Sequence, residues 1–355
     1  MDLKEKFRAD FKEIVAKTGF SGKNFSVLAA CSGGADSLAL LYLLNELRRD
    51  FNFELAAAYV SHRLRKESED EAKFVDKICQ ELEITCFSLE FEENFWIHDR
   101  KNIEERARVK RYELLFDLVK SNKFSMLATA HHLDDQTETV LMRIFDRGTG
   151  LKGLSGIKAV NSSCDFLSNT QNGAFFIIRP MLSISKSEIS AFMQGRQFLS
   201  DPSNYDTKYR RNYYRHKILP ALDELLPEIP YKENIARLAE NAARESEIMR
   251  ELMDDFWRSL MTKNVGDTIF VPRNIIKSKS YDFWLTAFSY LFSSAVFVTS
   301  GIHRSPSTKT LHDIVDFIFK TDPATAYYTP FTFERTREGV RFRYKKTPPE
   351  RGLKS

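Results

Sequence analysis

The stretch Phe25-Ser-Val-Leu-Ala-Ala-Cys31-Ser32-Gly33-Gly34-Ala35-Asp36-Ser37 decides the fold, because an apolar run enters a glycine pair and a helical run, Leu38-Ala-Leu-Leu-Tyr-Leu-Leu44, leaves it. Strand, tight turn and helix follow from that order. Adjacent glycines let the backbone turn tightly and leave amide N–H groups uncovered, while Ser32 and Ser37 add hydroxyls at the positive end of the helix dipole. Such a turn cradles an anion, and phosphate suits it best. An ordinary strand-to-helix turn with a capping serine is the plainer alternative. No Lys stands where the pattern GxxxxGK(S/T) would place one to reach a γ-phosphate. The turn therefore suits chemistry at the α-phosphate, with pyrophosphate as the leaving group.

Outward from this turn, strand-like and helix-like segments alternate up to residue 180. The spacing predicts strands over 54–60, 85–89, 125–130 and 175–180, with helices over about 68–83 and 102–121 and another opening at Asp134. Repeated βα units imply a Rossmann-like, doubly wound parallel sheet with ligands at the carboxyl ends of its strands. His62 and the pair His131/His132 directly follow strands and belong on that rim. Beyond 180 the pattern predicts a helix over 184–196, a turn at 201–204 and a short helix over 212–219 ended by Pro220. A long, densely charged helix over about 231–262 would bridge domains. The remainder mixes strand-like 268–271 and 339–344 with two apolar helical runs, as a small α/β module would. The expected division is 1–220, 221–264, 265–345 and a disordered tail, 346–355.

At 355 residues, 43% apolar and 29% charged, the chain is an ordinary globular one with room for two or three domains. A net charge of +4 is small for this length, so a polyanionic partner must be met by local clusters of basic residues. Cys31, Cys79, Cys86 and Cys164 show no CxxC pair and no metal-ligand spacing, which fits free thiols in a reducing cytoplasm. The charged N-terminus and the lack of long apolar runs predict neither secretion nor a membrane span.

A second constellation is His131-His-Leu-Asp-Asp135-Gln-Thr-Glu138-Thr at a helix start. Asp135 and Glu138, three apart, share a face and aim two carboxylates at the rim where the phosphate turn opens. They can hold a cation or take a proton; alternatively, they only complement the helix dipole. Lys208-Tyr-Arg-Arg-Asn-Tyr-Tyr-Arg-His-Lys217 combines five Lys/Arg with three Tyr and no acid. Guanidinium groups can meet phosphates while tyrosines stack on unpaired bases, although a solvated helix face carries the same pattern.

The spelling SGGxDS resembles the pyrophosphate loop of the N-type ATP pyrophosphatases. A narrower resemblance rests on HHLDDQTET, Arg143-Ile-Phe-Asp-Arg147-Gly-Thr-Gly150-Leu-Lys-Gly153-Leu, Ala107-Arg108-Val-Lys-Arg111-Tyr112, Arg179-Pro180, Asp201-Pro-Ser-Asn204 and Arg211-Asn212-Tyr-Tyr-Arg215. In this order they are similar to the tRNA(Ile)-lysidine synthetases. That family adenylates the C2 oxygen of the wobble cytidine in a CAU anticodon, and the ε-amine of free lysine then displaces AMP. The resemblance implies that Ser32, Gly33, Gly34, Ala35, Asp36 and Ser37 bind the ATP phosphates, with Asp36 beside Mg2+. It implies that Asp135 and Glu138 hold lysine, that Arg108 and Arg111 lie near the phosphates or the target base, and that Arg211, Asn212 and Arg215 face the tRNA. His62 and Arg65 are nucleotide-side candidates, although Val60-Ser-His-Arg-Leu-Arg65 departs from the family's V-D-H-G-L-R. The C-terminal module matches the family's tRNA-binding domain only loosely, through Gly301-Ile-His-Arg-Ser-Pro306. A homodimer is compatible with this reading.

Three rivals remain. A tRNA thiolase would use the same adenylation but typically needs paired cysteines. A small-molecule amide ligase is disfavoured by the basic block at 208–217 and the lack of a glutaminase domain. A non-catalytic nucleotide-binding module would not need Asp36, Asp135 and Glu138 together.

Overall fold

Four strands, β1 (Phe25–Ala30), β2 (Phe53–Ser61), β3 (Thr85–Glu90) and β4 (Met126–Ala128), run parallel and frame the N-terminal part of the chain. The computed structural model describes residues 2–61, 68–92, 95, 103–163, 175–200, 206–261, 268–292, 306–328 and 331–344. His62, Arg65, the 201–204 turn, Gly301 to Arg304, Cys164 and the tail fall outside the described residues. β6 (Phe176–Ile178) continues the sheet parallel to β4, and β5 (Val160–Ser162) closes its edge antiparallel to β6. The strand order is β3-β2-β1-β4-β6-β5. The chain winds from β1 toward β3 on one side and then crosses to β4 on the other, so the topological switch lies between β1 and β4.

Helix α1 (Leu3–Thr18), which the sequence pattern did not mark, precedes β1, and α2 (Ala35–Leu47), α3 (Ser68–Glu81), α4 (Ile103–Ser121) and α5 (Leu133–Arg147) alternate with the strands as expected. The inner strands are apolar on both faces, the mark of a covered parallel sheet: Val27, Leu28 and Ala29 of β1 are fully buried. Phe11 of α1 meets Phe51 edge-on at 5.2 Å and lies 5.3 Å from Phe53, closing one layer over β1 and β2. The short helix α6 (Leu151–Leu154) follows α5.

Beyond β6 the structure departs from expectation in two places. The helix expected over 184–196 is only α7 (Lys186–Phe192), capped by the Ser185 side chain at its start, and the chain turns away through Gly195 at φ 77°. Pro220 does not end a helix. Arg210–Tyr213 (α8) runs into a π-helical turn, Tyr214–Ile218, and then into α9 (Leu219–Leu225), where the proline occupies a first-turn position. The proline's missing N–H falls just past the π-helical turn, where the regular hydrogen-bond ladder is already interrupted.

The chain divides into two compact units, Met1–Ser163 with Thr170–Ala243 and a second containing Arg244–Ser355. Helix α10 (Tyr231–Met261) passes through that boundary. The second unit holds β7 (Thr268–Pro272), α11 (Arg273–Ser278), α12 (Tyr281–Leu291), α13 (Thr308–Phe319), β8 (Ala324–Tyr328), β9 (Phe331–Arg335) and β10 (Gly339–Tyr344). Its strands form an antiparallel sheet in the order β7-β10-β9-β8 around a core that includes Trp257, Trp284, Phe288 and Phe342. Among the described residues no helix is long and apolar enough to cross a membrane.

Candidate active site

Because β1 and β4 pair in parallel, with Ala29 opposite Ala128, the segments leaving them emerge side by side at the switch point. One is the glycine turn and the other is His131 to Glu138. The turn is knitted from its own residues: the Ser32 amide donates to Ser37 Oγ (3.1 Å), and that hydroxyl donates to the Gly34 carbonyl (2.9 Å). Gly33 sits at φ 78°, and a Cβ there would come within 2.5 Å of Leu199 Cδ1. Only glycine fits without strain. The Leu199 amide in turn donates to the Gly33 carbonyl at 2.9 Å, so the stretch after α7 braces the turn. Burial pushes the Cys31 thiol beneath it up to about 11, partly offset by the Gly33 amide and the Ser37 hydroxyl.

Asp36, in the first turn of α2, pairs with Lys186 Nζ and lies 3.8 Å from His132 Nε2. His132 is buried, caps α5, and has Asp135 Oδ2 at 3.5 Å and Asp134 Oδ2 at 3.8 Å. Its own amide donates to Asp135 Oδ2 (3.0 Å). An Asp at this end of a helix is favoured by the dipole as well.

The structure brings Asp135 and Glu138 together with the arginines that the sequence placed at a separate, tRNA-facing position. Arg211 Nε donates to Glu138 Oε2 (2.8 Å) and its Nη2 to Asp135 Oδ1 (2.8 Å). Arg215 Nε donates to Glu138 Oε1 (2.7 Å), and its Nη2 reaches both Asp135 Oδ1 (2.9 Å) and Glu138 Oε2 (3.1 Å). The Glu138 side chain is 0% exposed, and a buried carboxylate of this kind needs such charge-assisted partners. Burial alone would raise the Asp135 carboxyl, but His132, Arg211, His131 and Arg215 hold it well below the usual carboxylate range. Burial works against both guanidinium groups too, yet the two acids leave each more firmly protonated than an ordinary arginine.

Gln136, Arg143 and Arg179 brace the surrounding backbone. Gln136 exchanges hydrogen bonds with the backbone of Ile157, and Arg143 Nη1 donates to the carbonyls of Gly153 and Gly156. Arg179 Nη1, at the end of β6, donates to the Lys158 carbonyl and Asn161 Oδ1. Asn212 Nδ2 donates to the Asp206 carbonyl. Arg108 stacks over Tyr112 on α4 and, with Arg179, acts on His131, whose imidazole burial pushes down to about 3. Arg111 lies on the same helix, one turn on. Cys79 and Cys86, unrelated by any motif spacing, contact each other through a thiol hydrogen bond that lowers the Cys86 pKa. Among the described residues no group of three or more His, Cys, Asp or Glu could hold a metal ion.

Sequence reasoning missed Asp134, Lys186, Asp223 and Lys232, which line a cleft of about 160 Å³ with Asp36, His132, Glu138 and Arg215. Asp134 sits inside the His131–Glu138 constellation and Lys186 follows a recognisable cap, Ser185, but nothing local marks Asp223 or Lys232.

Comparison with known proteins adds three findings. The model of the PP-loop domain family matches residues 3–222. A tRNA(Ile)-lysidine synthase of Thermosipho africanus is 39% identical over 222 residues, 62% of this chain and 48% of its own, and one of Porphyromonas gingivalis is 35% identical over 66% and 48%. The chain thus spans about half the length of these curated relatives. A solved U34-tRNA thiolase from Methanococcus maripaludis shares the fold at a TM-score of 0.52 and 24% identity, over 67% of this chain and 80% of that one.

Proposed function

Since the chain belongs to the PP-loop domain family, we propose that it is a carbon–nitrogen ligase that joins free lysine to C2 of the wobble cytidine of tRNA(Ile) with a CAU anticodon. The observation that carries this reading is the convergence of the glycine turn and the Asp135/Glu138 helix start at one switch point, in a chain similar to lysidine synthases over its N-terminal part. ATP is the nucleotide. The cytidine O2 attacks the α-phosphorus, pyrophosphate leaves, the lysine ε-amine attacks C2, and AMP leaves with the oxygen.

Residues 32–37 would hold the phosphates through backbone amides and hydroxyls, while Lys186 offers a cation beside them. Asp36 is a fitting Mg2+ ligand, since that ion favours one or two carboxylates completed by substrate phosphates. Arg108 and Arg111 would steady the phosphates or the target base. Asp135 and Glu138 would anchor lysine; Asp135, held well below the usual carboxylate range, is a poor acceptor for the proton that the ε-ammonium must lose before attack. Positioned next to an activated carbon, the neutral amine gains a high effective molarity. Arg211 and Arg215, which bind these acids through Nε and Nη2, would offer their remaining edge to the tRNA backbone, with Asn212 alongside. In this division residues 1–220 carry the chemistry, 221–264 face the tRNA and 265–345 hold it.

Mass spectrometry of nucleosides from bulk tRNA, after incubation with the protein, ATP, Mg2+ and isotope-labelled lysine, tests the proposal. A labelled nucleoside heavier than cytidine by lysine less water is expected. Pyrophosphate release without any labelled nucleoside would overturn it.

A further inference from the structure

Three thiols lie at or near the glycine turn, and the phosphate chemistry uses none of them. Cys31 immediately precedes the turn, Cys79 belongs to the end of α3, and Cys86 is the second residue of β3. None is in a disulfide. The corner between α3 and β3 brings the last two together. After Glu81 the chain reverses with Glu83 at φ 53°, and the Ile84 amide donates back to the Cys79 carbonyl at 2.9 Å. β3 then runs beside β2, with Cys86 opposite Ala57, and packs along the helix that it has just left.

The three thiols are not equivalent. Cys79 is buried and donates to Cys86, so its own ionisation is held back first by that hydrogen bond and then by burial. Cys86 is half-buried and accepts; the bond favours its thiolate, against burial and the Asp76 charge. Cys31 is buried, its pKa is pushed up to about 11 by that burial, and its sulfur keeps to the Ser37 hydroxyl at 3.9 Å. A thiolate in contact with a protonated partner thiol is the pairing that disulfide formation needs.

Helix α3 is also a wall of the turn. Val75, four residues before Cys79 and on the same helix face, stands so close that a Cβ added at Gly33 would meet its Cγ2 at 3.2 Å, while Leu199 closes in at 2.5 Å. The turn has no slack between them. Moving α3 inward crowds Gly33, and moving it outward removes the brace.

We propose that Cys79 and Cys86 are a redox modification site, which peroxide converts to a disulfide that disturbs the glycine turn through α3 and weakens its hold on ATP. The Cys86 thiolate attacks one peroxide oxygen, giving the sulfenic acid and a hydroxide that takes up a proton as water. The Cys79 sulfur then displaces the second oxygen, which leaves as water with the Cys79 proton. Two thiols and one hydrogen peroxide thus become one disulfide and two waters. The bond draws the sulfurs well inside hydrogen-bond contact, and Val75 moves with Cys79. The functional consequence rests on the reading of the turn as the site of the ATP phosphates.

Treatment of the full chain with a small molar excess of hydrogen peroxide, quenched with catalase and followed by N-ethylmaleimide labelling in denaturant and peptide mass spectrometry, tests the site. The tryptic peptide that holds both Cys79 and Cys86 should carry no label and be lighter by two hydrogens, Cys31 should keep its label, and a reductant should restore two labels to the pair. ATP affinity titrated on the same samples should fall about ten-fold or more on oxidation, as a site displaced by about 1 Å does, and recover on reduction. Cys86→Ser should bind ATP as wild type does and ignore peroxide, whereas Cys79→Ser should leave Cys86 as a sulfenic acid that dimedone traps. Full labelling of both residues after peroxide, a disulfide that includes Cys31, or a Cys79–Cys86 disulfide with unchanged ATP affinity would overturn the proposal. Failure of the reduced protein to bind ATP at all would instead sink the reading of the turn.

Discussion

The glycine turn and the carboxylate cluster stand side by side at the switch between β1 and β4, yet they are built in opposite ways. The turn is local, with residues 32–37 bonding to one another and needing little from afar beyond the Leu199 brace. The cluster is assembled across long sequence gaps, its two acids in α5 held by guanidinium groups from α8 and the π-helical turn. The first is a backbone device, sensitive to shape, and the second a charge device, sensitive to pairing. Substitutions should therefore damage them in different ways.

The largest effect is expected in the turn. Asp36→Ala should reduce pyrophosphate release by on the order of 10²-fold or more while tRNA binding survives, since a charge facing the transferred group is worth that much. Gly33→Ala should match it by another route: a positive φ costs a non-glycine residue about 1–2 kcal/mol, and the new Cβ meets Leu199. Pyrophosphate release measured with saturating ATP and tRNA checks both. Wild-type rates in either variant would detach the turn from the chemistry.

Next comes the cluster. Asp135→Asn and Glu138→Gln should raise the KM for lysine about ten-fold or more, and that for ATP far less. Arg211→Ala or Arg215→Ala leaves buried Glu138 with one guanidinium, so each should cost on the order of 2 kcal/mol in a denaturant titration. Each should also lower the slope of log tRNA affinity against log salt by about 1. Lost stability with an unchanged slope would assign these arginines to the fold alone.

This contrast also explains what was legible in advance. β1 ends at Ala30 as the pattern required, and α5 opens at Leu133, one residue from expectation, because apolar runs, glycines and caps act over a few residues. Asp135 and Glu138 share a face for the same reason. Their partners were read as tRNA ligands because an arginine's charge is visible in sequence and its acceptor is not. Asp223 and Lys232 carry no local signal, since their meaning comes from Asp134, some ninety positions earlier in the chain. The antiparallel β5 escaped notice for a related reason: three residues of intermediate burial give little periodicity to read.

A smaller effect belongs to His131, just ahead of α5. Burial pushes His131 down to about 3, below its unfolded value near 6.5. As pH falls, the unfolded chain takes up this proton first, so the stability present above 6.5 is lost between about 6.5 and 3. Asp135, also depressed, contributes stability that is lost only below about 3.9. His131→Asn should flatten the decline in denaturant midpoint between pH 7 and 5 and leave unfolding below pH 4 in place. An unaltered decline across pH 7 to 5 would move the titration to another group.

The smallest effect is predicted one residue from one of the larger ones. Arg210 and Arg211 are neighbours in a basic run, and their charge alone does not rank them. In the structure Arg210 pairs with Asp146 through Nε at 3.0 Å with a side chain 64% exposed, whereas Arg211 closes on a carboxylate with no exposure at all. An exposed ion pair gains little, because water and salt screen it and two long side chains must be ordered to make it. Arg210→Ala should therefore leave the denaturant midpoint and the lysine KM at wild-type values while Arg211→Ala shifts both. If the two substitutions prove equivalent, burial of the acid partner is not what distinguishes the cluster from the surface around it, and its acids must be opened to solvent in the working protein.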